Sequence, residues 1–189
     1  MIYLIIGGSC CGKTSFVKNT WLKGKVFEIK KYILTYVETE NAIILGKYSN
    51  INERERSGTD TISRSQVSLI GEQVKRLTTL GKDIVLEGDK ATSRKLFDYL
   101  LLLGEMRLFL LYTDIDTSIN RHRVGNTPVK DRTLKAMLSR AKNIFMEYKD
   151  IMQGVAIDTS CFTPEDFVTF NIWNIEEYLD KKDYSKTLF

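Results

Sequence analysis

"YLIIGGSCCGKT", residues 3–14, sets four apolar or aromatic residues directly before Gly7 and then continues at a fixed spacing: Gly7, four residues, Gly12, Lys13, Thr14. An apolar run of strand length followed by this spacing is the pattern of a phosphate-binding loop between a strand and a helix. Glycines let the backbone curl so that successive N–H groups point inward at a phosphate, and the following helix start adds positive potential. Gly7, Gly8, Ser9, Cys10, Cys11, Gly12, Lys13, Thr14 and Ser15 are therefore the expected nucleotide cradle. Lys13 is expected to reach the β- and γ-phosphates and to stand in the ligand space rather than pack, with the Thr14 hydroxyl as a ligand of Mg²⁺. "TSFVKNTWL" then carries Phe16, Val17 and Trp21 at helical spacing.

Working outward, 189 residues suit one domain with a core of three layers, so residues 1–189 are read as a single domain. Hydrophobic content of 43% and charged content of 28% are ordinary globular values, which excludes a disordered chain. The net charge of +4 favours an anionic partner, and a nucleotide alone satisfies it. The longest apolar run, "YLLLLG" at 99–104, is far too short for a membrane span, and the first residues lack a charged segment and cleavage site; a cytoplasmic setting is expected. The three cysteines form no even framework: Cys10 and Cys11 are small fillers of the loop, in a position that can lower a thiol pKa, and Cys161 stands alone. A single histidine, His122, builds no metal site and is expected to be solvated or beside phosphate.

Further along, two β-rich runs at 32–37 and 42–46 joined by "ETEN" read as an inserted hairpin, and 49–60 reads as a polar loop ending in Gly58-Thr59-Asp60. A capping box at Ser63 and Gln66 starts a helix with Val67, Ile70, Val74 and Leu77 on one face, ended by Gly81. "DIVLEGD" (83–89) is a buried parallel strand with Glu87 and Asp89 at its exit; "TSRKLFDYLLLLG" is a capped helix, and "RLFLLYTD" is a further strand leading to Asp114. Residues 116–123 continue as a helix, "VGNTPVKDR" (124–132) interrupts, a basic helix covers 133–149, and "GVAIDTS" is a last strand. A helix then begins at Thr163 and Pro164, and the tail 180–189 is polar. Strands alternate with helices, so the fold is α/β with a mostly parallel sheet and helices on both faces.

In such sheets ligands bind at the carboxyl ends of strands, which gathers the phosphate loop, Glu87 with Asp89, and the Asp114 turn. A triphosphate held there can drive motion, switch a surface or phosphorylate an acceptor. The chain has no N-K-x-D guanine-reading motif, and its strand ends Glu87-Gly88-Asp89 rather than in the adjacent Asp-Glu of a motor or clamp ATPase. A small kinase needs an acidic group by the acceptor hydroxyl and a basic lid over the phosphates. Glu87 or Asp89 is the candidate base, with Asp60 next, and Asp89 joins Thr14 as a candidate Mg²⁺ partner. Arg121 and Arg123, with Lys130 and Arg132 beyond the interruption, form a candidate lid over 121–135. A nucleotide-dependent switch or binding module is the non-enzymatic alternative, and it leaves the lid and the acidic exit unexplained.

The order of phosphate loop, acidic strand exit, Arg-bearing helix and lid, and "VAIDTS..TPEDF" resembles the bacterial and viral thymidylate kinase family over nearly the whole chain, which implies a three-layer P-loop kinase fold. Two departures stand out: "EGDKAT" replaces the family's Asp-Arg-Tyr or Asp-Arg-Phe, so that at best Asp89-Lys90 stands for Asp-Arg, and the Arg-Glu-Pro segment is replaced by "LGKYSNINERERSGTDTIS". "LGKY...GTDTIS" with "VLEGD" is similar to phage-encoded relatives that phosphorylate 5-hydroxymethyluracil within DNA. That resemblance implies ATP and Mg²⁺ as cofactors, DNA with a modified pyrimidine as partner, and residence in the host cytoplasm. The base would be turned out of the helix into a pocket built by 32–60, with Tyr48 stacking on it or serving the core, Asp60 and Arg64 lining it, and Lys47, Arg54, Arg56 and Arg64 meeting DNA phosphates. The alternative acceptor is a deoxynucleoside monophosphate, clamped by Arg54, Arg56 or Arg64.

Overall fold

Ile2, Leu4 and Ile6 of the first strand, β1 (Ile2–Gly7), are buried in one cluster and Ile5 in a second, as expected of a strand covered on both faces. The computed structural model describes residues 1–48, 57–124 and 129–176. Six further strands follow: β2 (Glu28–Lys31), β3 (Thr35–Glu38), β4 (Ala42–Leu45), β5 (Asp83–Glu87), β6 (Met106–Tyr112) and β7 (Val155–Asp158). All seven form one sheet in the order β2-β3-β4-β5-β1-β6-β7. From β4 to β7 every neighbouring pair is parallel, while β2, β3 and β4 pair antiparallel.

Helices cover both faces. On one, α2 (Ile70–Leu77), α3 (Arg94–Leu101) and α5 (Asp131–Tyr148) bury Val74, Phe97 and Phe145 against Leu4 and Leu108. On the other, α1 (Lys13–Val17) and its π-helical continuation Lys18–Leu22 bury Phe16 and Trp21 against Ile5, Val85 and Phe109, where Phe170 joins them. Phe16 has ring contacts with Phe109 at 5.5 Å and Phe170 at 4.8 Å between centroids, each worth about 0.5–1.5 kcal/mol beyond burial. The α/β fold with a mostly parallel sheet between helical layers is thus the observed one. Among the described residues no helix is long and apolar enough to cross a membrane.

Three elements differ from the expected pattern. The hairpin of β3 and β4 exists, but it is no appendage: all four residues of β4 are buried, and β4 pairs in parallel with β5, so it belongs to the core of the sheet. The run Ala42-Ile43-Ile44-Leu45 is continuous rather than alternating because both its faces are covered. At the second helix, Ser63 and Gln66 bond side chain to side chain (2.9 Å), so no cap forms; Arg64–Leu69 is 3₁₀ and α-helix begins only at Ile70. The helix expected from Thr163, α6 (Pro164–Thr169), has its Thr163 cap but stops early, because Phe170 turns into the core and Asn171 caps a separate turn, Ile172–Asn174.

The chain leaves β5 on one side of β1 and enters β6 on the other, so the carboxyl end of β1 lies at a topological switch point. Gly58 brings segment 57–62 across that end. Its φ of 63° and ψ of −149° are essentially glycine-only, and a Cβ there would collide with the carboxylate and the main-chain oxygen of Glu87. Gly58→Ala is expected to cost about 1–3 kcal/mol from the backbone alone, read as a lower denaturant midpoint at unchanged slope.

Candidate active site

The loop of residues 7–14 begins where β1 ends. Cys10, a non-glycine residue, holds φ 57°, and Gly12 holds φ 87°, the alternation of hand that turns successive N–H groups toward one point. Lys13 does not stand out in the ligand space as expected: it is 8% exposed, and its Nζ donates to the carbonyls of Gly8 (2.5 Å) and Gly7 (3.3 Å). The curl of the loop turns those carbonyls onto the ammonium. Burial presses its pKa down, but Cys11, Glu87, Asp60 and Asp89 outweigh it, and the group sits above its ordinary value. Burial likewise pushes the Cys10 and Cys11 thiols up, against the lowering expected of their position.

Alternation carries the chemistry from β5 to this loop. Val85 faces the layer of α1, and Glu87, two residues on, faces the same side at the strand's end. Its Oε1 accepts from the Thr14 hydroxyl (3.0 Å) and its Oε2 from the Tyr48 hydroxyl (2.7 Å). The Ser57 hydroxyl donates to Thr14 Oγ1 (3.0 Å), and the Thr59 hydroxyl donates to the main-chain oxygen of Glu87 (2.8 Å). Glu87 is 2% exposed. Burial pushes its carboxyl above the usual range, against Lys13 and the two hydroxyls, which favour the ionised form; Asp60 adds to the rise.

Tyr48 is therefore core, buried beside Glu87, and its ring is not available for stacking on a base; burial and Glu87 hold its own pKa well above the ordinary value. Because the Tyr48 hydroxyl donates to the charged form of Glu87, Tyr48→Phe raises the Glu87 pKa. The acid limb of any Glu87-dependent activity then moves to higher pH. A pH profile of the variant checks this.

Asp89 goes elsewhere. Its Oδ1 accepts from Arg140 of α5 (3.4 Å), whose guanidinium also bonds the Thr92 carbonyl. The carboxylate that Thr14 meets is therefore that of Glu87, while Asp89 meets Arg140. Asp60 lies against the exit of β5: its Oδ1 accepts from the Lys90 N–H (3.3 Å), and the Lys90 ammonium bonds the carbonyls of Asp60 and Ile62. Asp114 caps α4 (Ile115–Val124) through the Thr117 N–H (2.7 Å), and that bond holds its carboxyl below the usual range.

The lid expectation divides. Arg121 donates to the carbonyls of Cys10 (3.3 Å), Thr159 (2.6 Å) and Phe162 (3.4 Å) and lies over the Phe167 ring at 4.9 Å. It joins the loop of residues 7–14 to the segment after β7. Phe167 in turn lies so close to Gly12 that a Cβ there would collide with its ring. Arg123, Arg132, Lys130 and Arg64 are exposed, and His122 is buried in α4, not solvated. Lid residues 125–128, Arg54 and Arg56 of the acceptor loop, and the tail from 177 onward lie outside the described residues. Ser57, Arg140, Thr159 and Phe167 are not among the expected site residues, although Ser57 stands next to Gly58 in the polar run Ser57-Gly58-Thr59-Asp60 and Thr159 and Phe167 lie within "VAIDTS..TPEDF".

The donor set fits Mg²⁺. Thr14 Oγ1 and the Glu87 carboxylate are hard oxygen donors side by side, and Mg²⁺ is held by one or two carboxylates plus nucleotide phosphates rather than by an all-protein cage. No group of three or more His, Cys, Asp or Glu suited to a metal occurs among the described residues. No protein-family model matches the chain, and no curated protein matches it in sequence.

Proposed function

We propose that the chain is an ATP-dependent phosphotransferase with a P-loop kinase fold, moving the γ-phosphoryl group to a hydroxyl acceptor. The observation that carries this reading is the joining of the loop's Thr14 to the buried carboxylate of Glu87, beside Lys13 and under the crossing segment 57–62. Thr14 and Glu87 would hold Mg²⁺, which neutralises charge on the phosphates when bound. Lys13 supports the β- and γ-oxygens. An acceptor hydroxyl gives its proton to a carboxylate, Glu87 or the more open Asp60, and its oxygen bonds to the γ-phosphorus as the bond to the β–γ bridging oxygen breaks and ADP leaves.

The acceptor we propose is the hydroxymethyl group of 5-hydroxymethyluracil in DNA, on the resemblance to the phage-encoded kinases. Among the described residues, Lys90 and Arg140, cations near the β5 exit, are engaged with backbone carbonyls and Asp89, which supports an acceptor held without their charge. Exposed Lys47, whose carbonyl accepts from the Gly58 N–H (3.2 Å), stands at the rim where a DNA backbone would run.

Transfer of labelled γ-phosphate from ATP, run in parallel to DNA containing 5-hydroxymethyluracil, to the same DNA with thymine, and to mixed deoxynucleoside monophosphates, tests both parts. Label on the hydroxymethylated DNA alone supports the reading. Label on a monophosphate makes the chain a nucleotide kinase, and hydrolysis without transfer overturns the phosphotransferase.

A further inference from the structure

Among the described residues β2 is one of the two edge strands of the sheet, and all four of its residues, Glu28, Ile29, Lys30 and Lys31, are exposed. The hydrogen-bond parity of the hairpin shows which backbone groups face outward. Gly46 N donates to Thr35 O and Thr39 N to Ala42 O, so the odd-numbered residues of β3 bond β4. The even-numbered residues of β3 therefore face β2, pairing with Glu28 and Lys30, and Tyr32 N donates to Leu34 O in the same register. The N–H and C=O groups of Ile29 and Lys31 point away from the sheet.

Edge strands often carry lysine to discourage pairing, but here both signs of charge occur and apolar side chains stand beside them: Ile29 is 56% exposed, Tyr32 59% and Val26 91%. A two-fold antiparallel pairing must place outward-facing residues opposite one another. Centred on Ile29, it sets Ile29 against Ile29, Glu28 against Lys30 twice, Phe27 against Lys31 twice and Val26 against Tyr32 twice. Centred on Lys30, it sets Lys30 against Lys30 and Ile29 against Lys31. Charge and apolar matching both select the first register.

We propose that β2 is a self-complementary edge through which a second copy of this chain pairs antiparallel, centred on Ile29, continuing the seven-stranded sheet across a two-fold axis. Glu28, whose side chain is 71% exposed, pairs with Lys30 of its own chain (3.2 Å) and also reaches Lys30 of the second copy; Lys30 in addition bonds Glu38 of its own chain (2.7 Å) and keeps part of its side chain in solvent. The contact is small, so the dimer is a weak one that forms with concentration.

Sedimentation velocity over a concentration series tests this independently of any activity. The full chain shows a reversible monomer–dimer equilibrium in the micromolar range. Ile29→Pro removes an N–H that faces outward, leaves the bonds to β3 in place, and abolishes the dimer. Glu28→Lys and Lys30→Glu each weaken it by about tenfold through opposed like charges, and mixing the two variants restores it as a heterodimer. A chain that is monomeric throughout the series overturns the proposal, as does a dimer untouched by Ile29→Pro or a mixture that restores nothing. Circular dichroism of each variant confirms that the sheet is retained.

Discussion

Lys13→Met lowers phosphoryl transfer by on the order of a thousandfold while the chain stays folded. Methionine keeps most of the buried lysine stem, so the packing under the loop survives, but no cation remains for the β- and γ-oxygens as charge moves during transfer. Lys13→Ala loses as much activity and also some stability, because the side chain it removes is buried and not free in solvent. The two variants should therefore match in turnover and differ in denaturant midpoint. Unchanged transfer in a folded Lys13→Met protein removes the phosphate loop from the mechanism.

Glu87→Gln leaves nucleotide binding in place and lowers turnover by on the order of a hundredfold or more. Glutamine has nearly the same shape and can accept from Thr14 or Tyr48, so the network survives in outline, but it has no charge to hold a cation or receive a proton. Asp89→Asn is expected to keep most of the activity, because Asp89 faces Arg140 and not Thr14. Single-turnover transfer alongside a nucleotide-binding titration separates these outcomes. Full activity in Glu87→Gln with loss in Asp60→Asn moves the base to Asp60.

Glu87 and Asp89 could not be told apart in the sequence, since two carboxylates at spacing two share a strand face for as long as the strand continues. It does not continue: Gly88 holds φ 124°, and the chain enters a 3₁₀ turn at Asp89, which sends that side chain toward α5. The arginines posed a similar ambiguity. Arg121 and Arg123 lie two apart on α4, yet the first meets the backbone of Thr159 and the second faces solvent, a difference set by where the segment after β7 packs.

The tight loop between β1 and α1, the alternation of strands and helices, and the cap at Thr163 were determined by the sequence itself, because each depends on contiguous residues whose spacing expresses the backbone geometry. The Thr14–Glu87 bond joins residues 73 apart, the Tyr48–Glu87 bond residues 39 apart, and the Arg121–Thr159 bond residues 38 apart. Only the tertiary structure decided these pairings, and with them that Tyr48 is a buried donor, that Lys13 is enclosed by its own loop and that β4 lies inside the sheet. Local propensity says which side of a strand or helix a residue occupies; which other chain segment lies on that side is decided by how the layers pack.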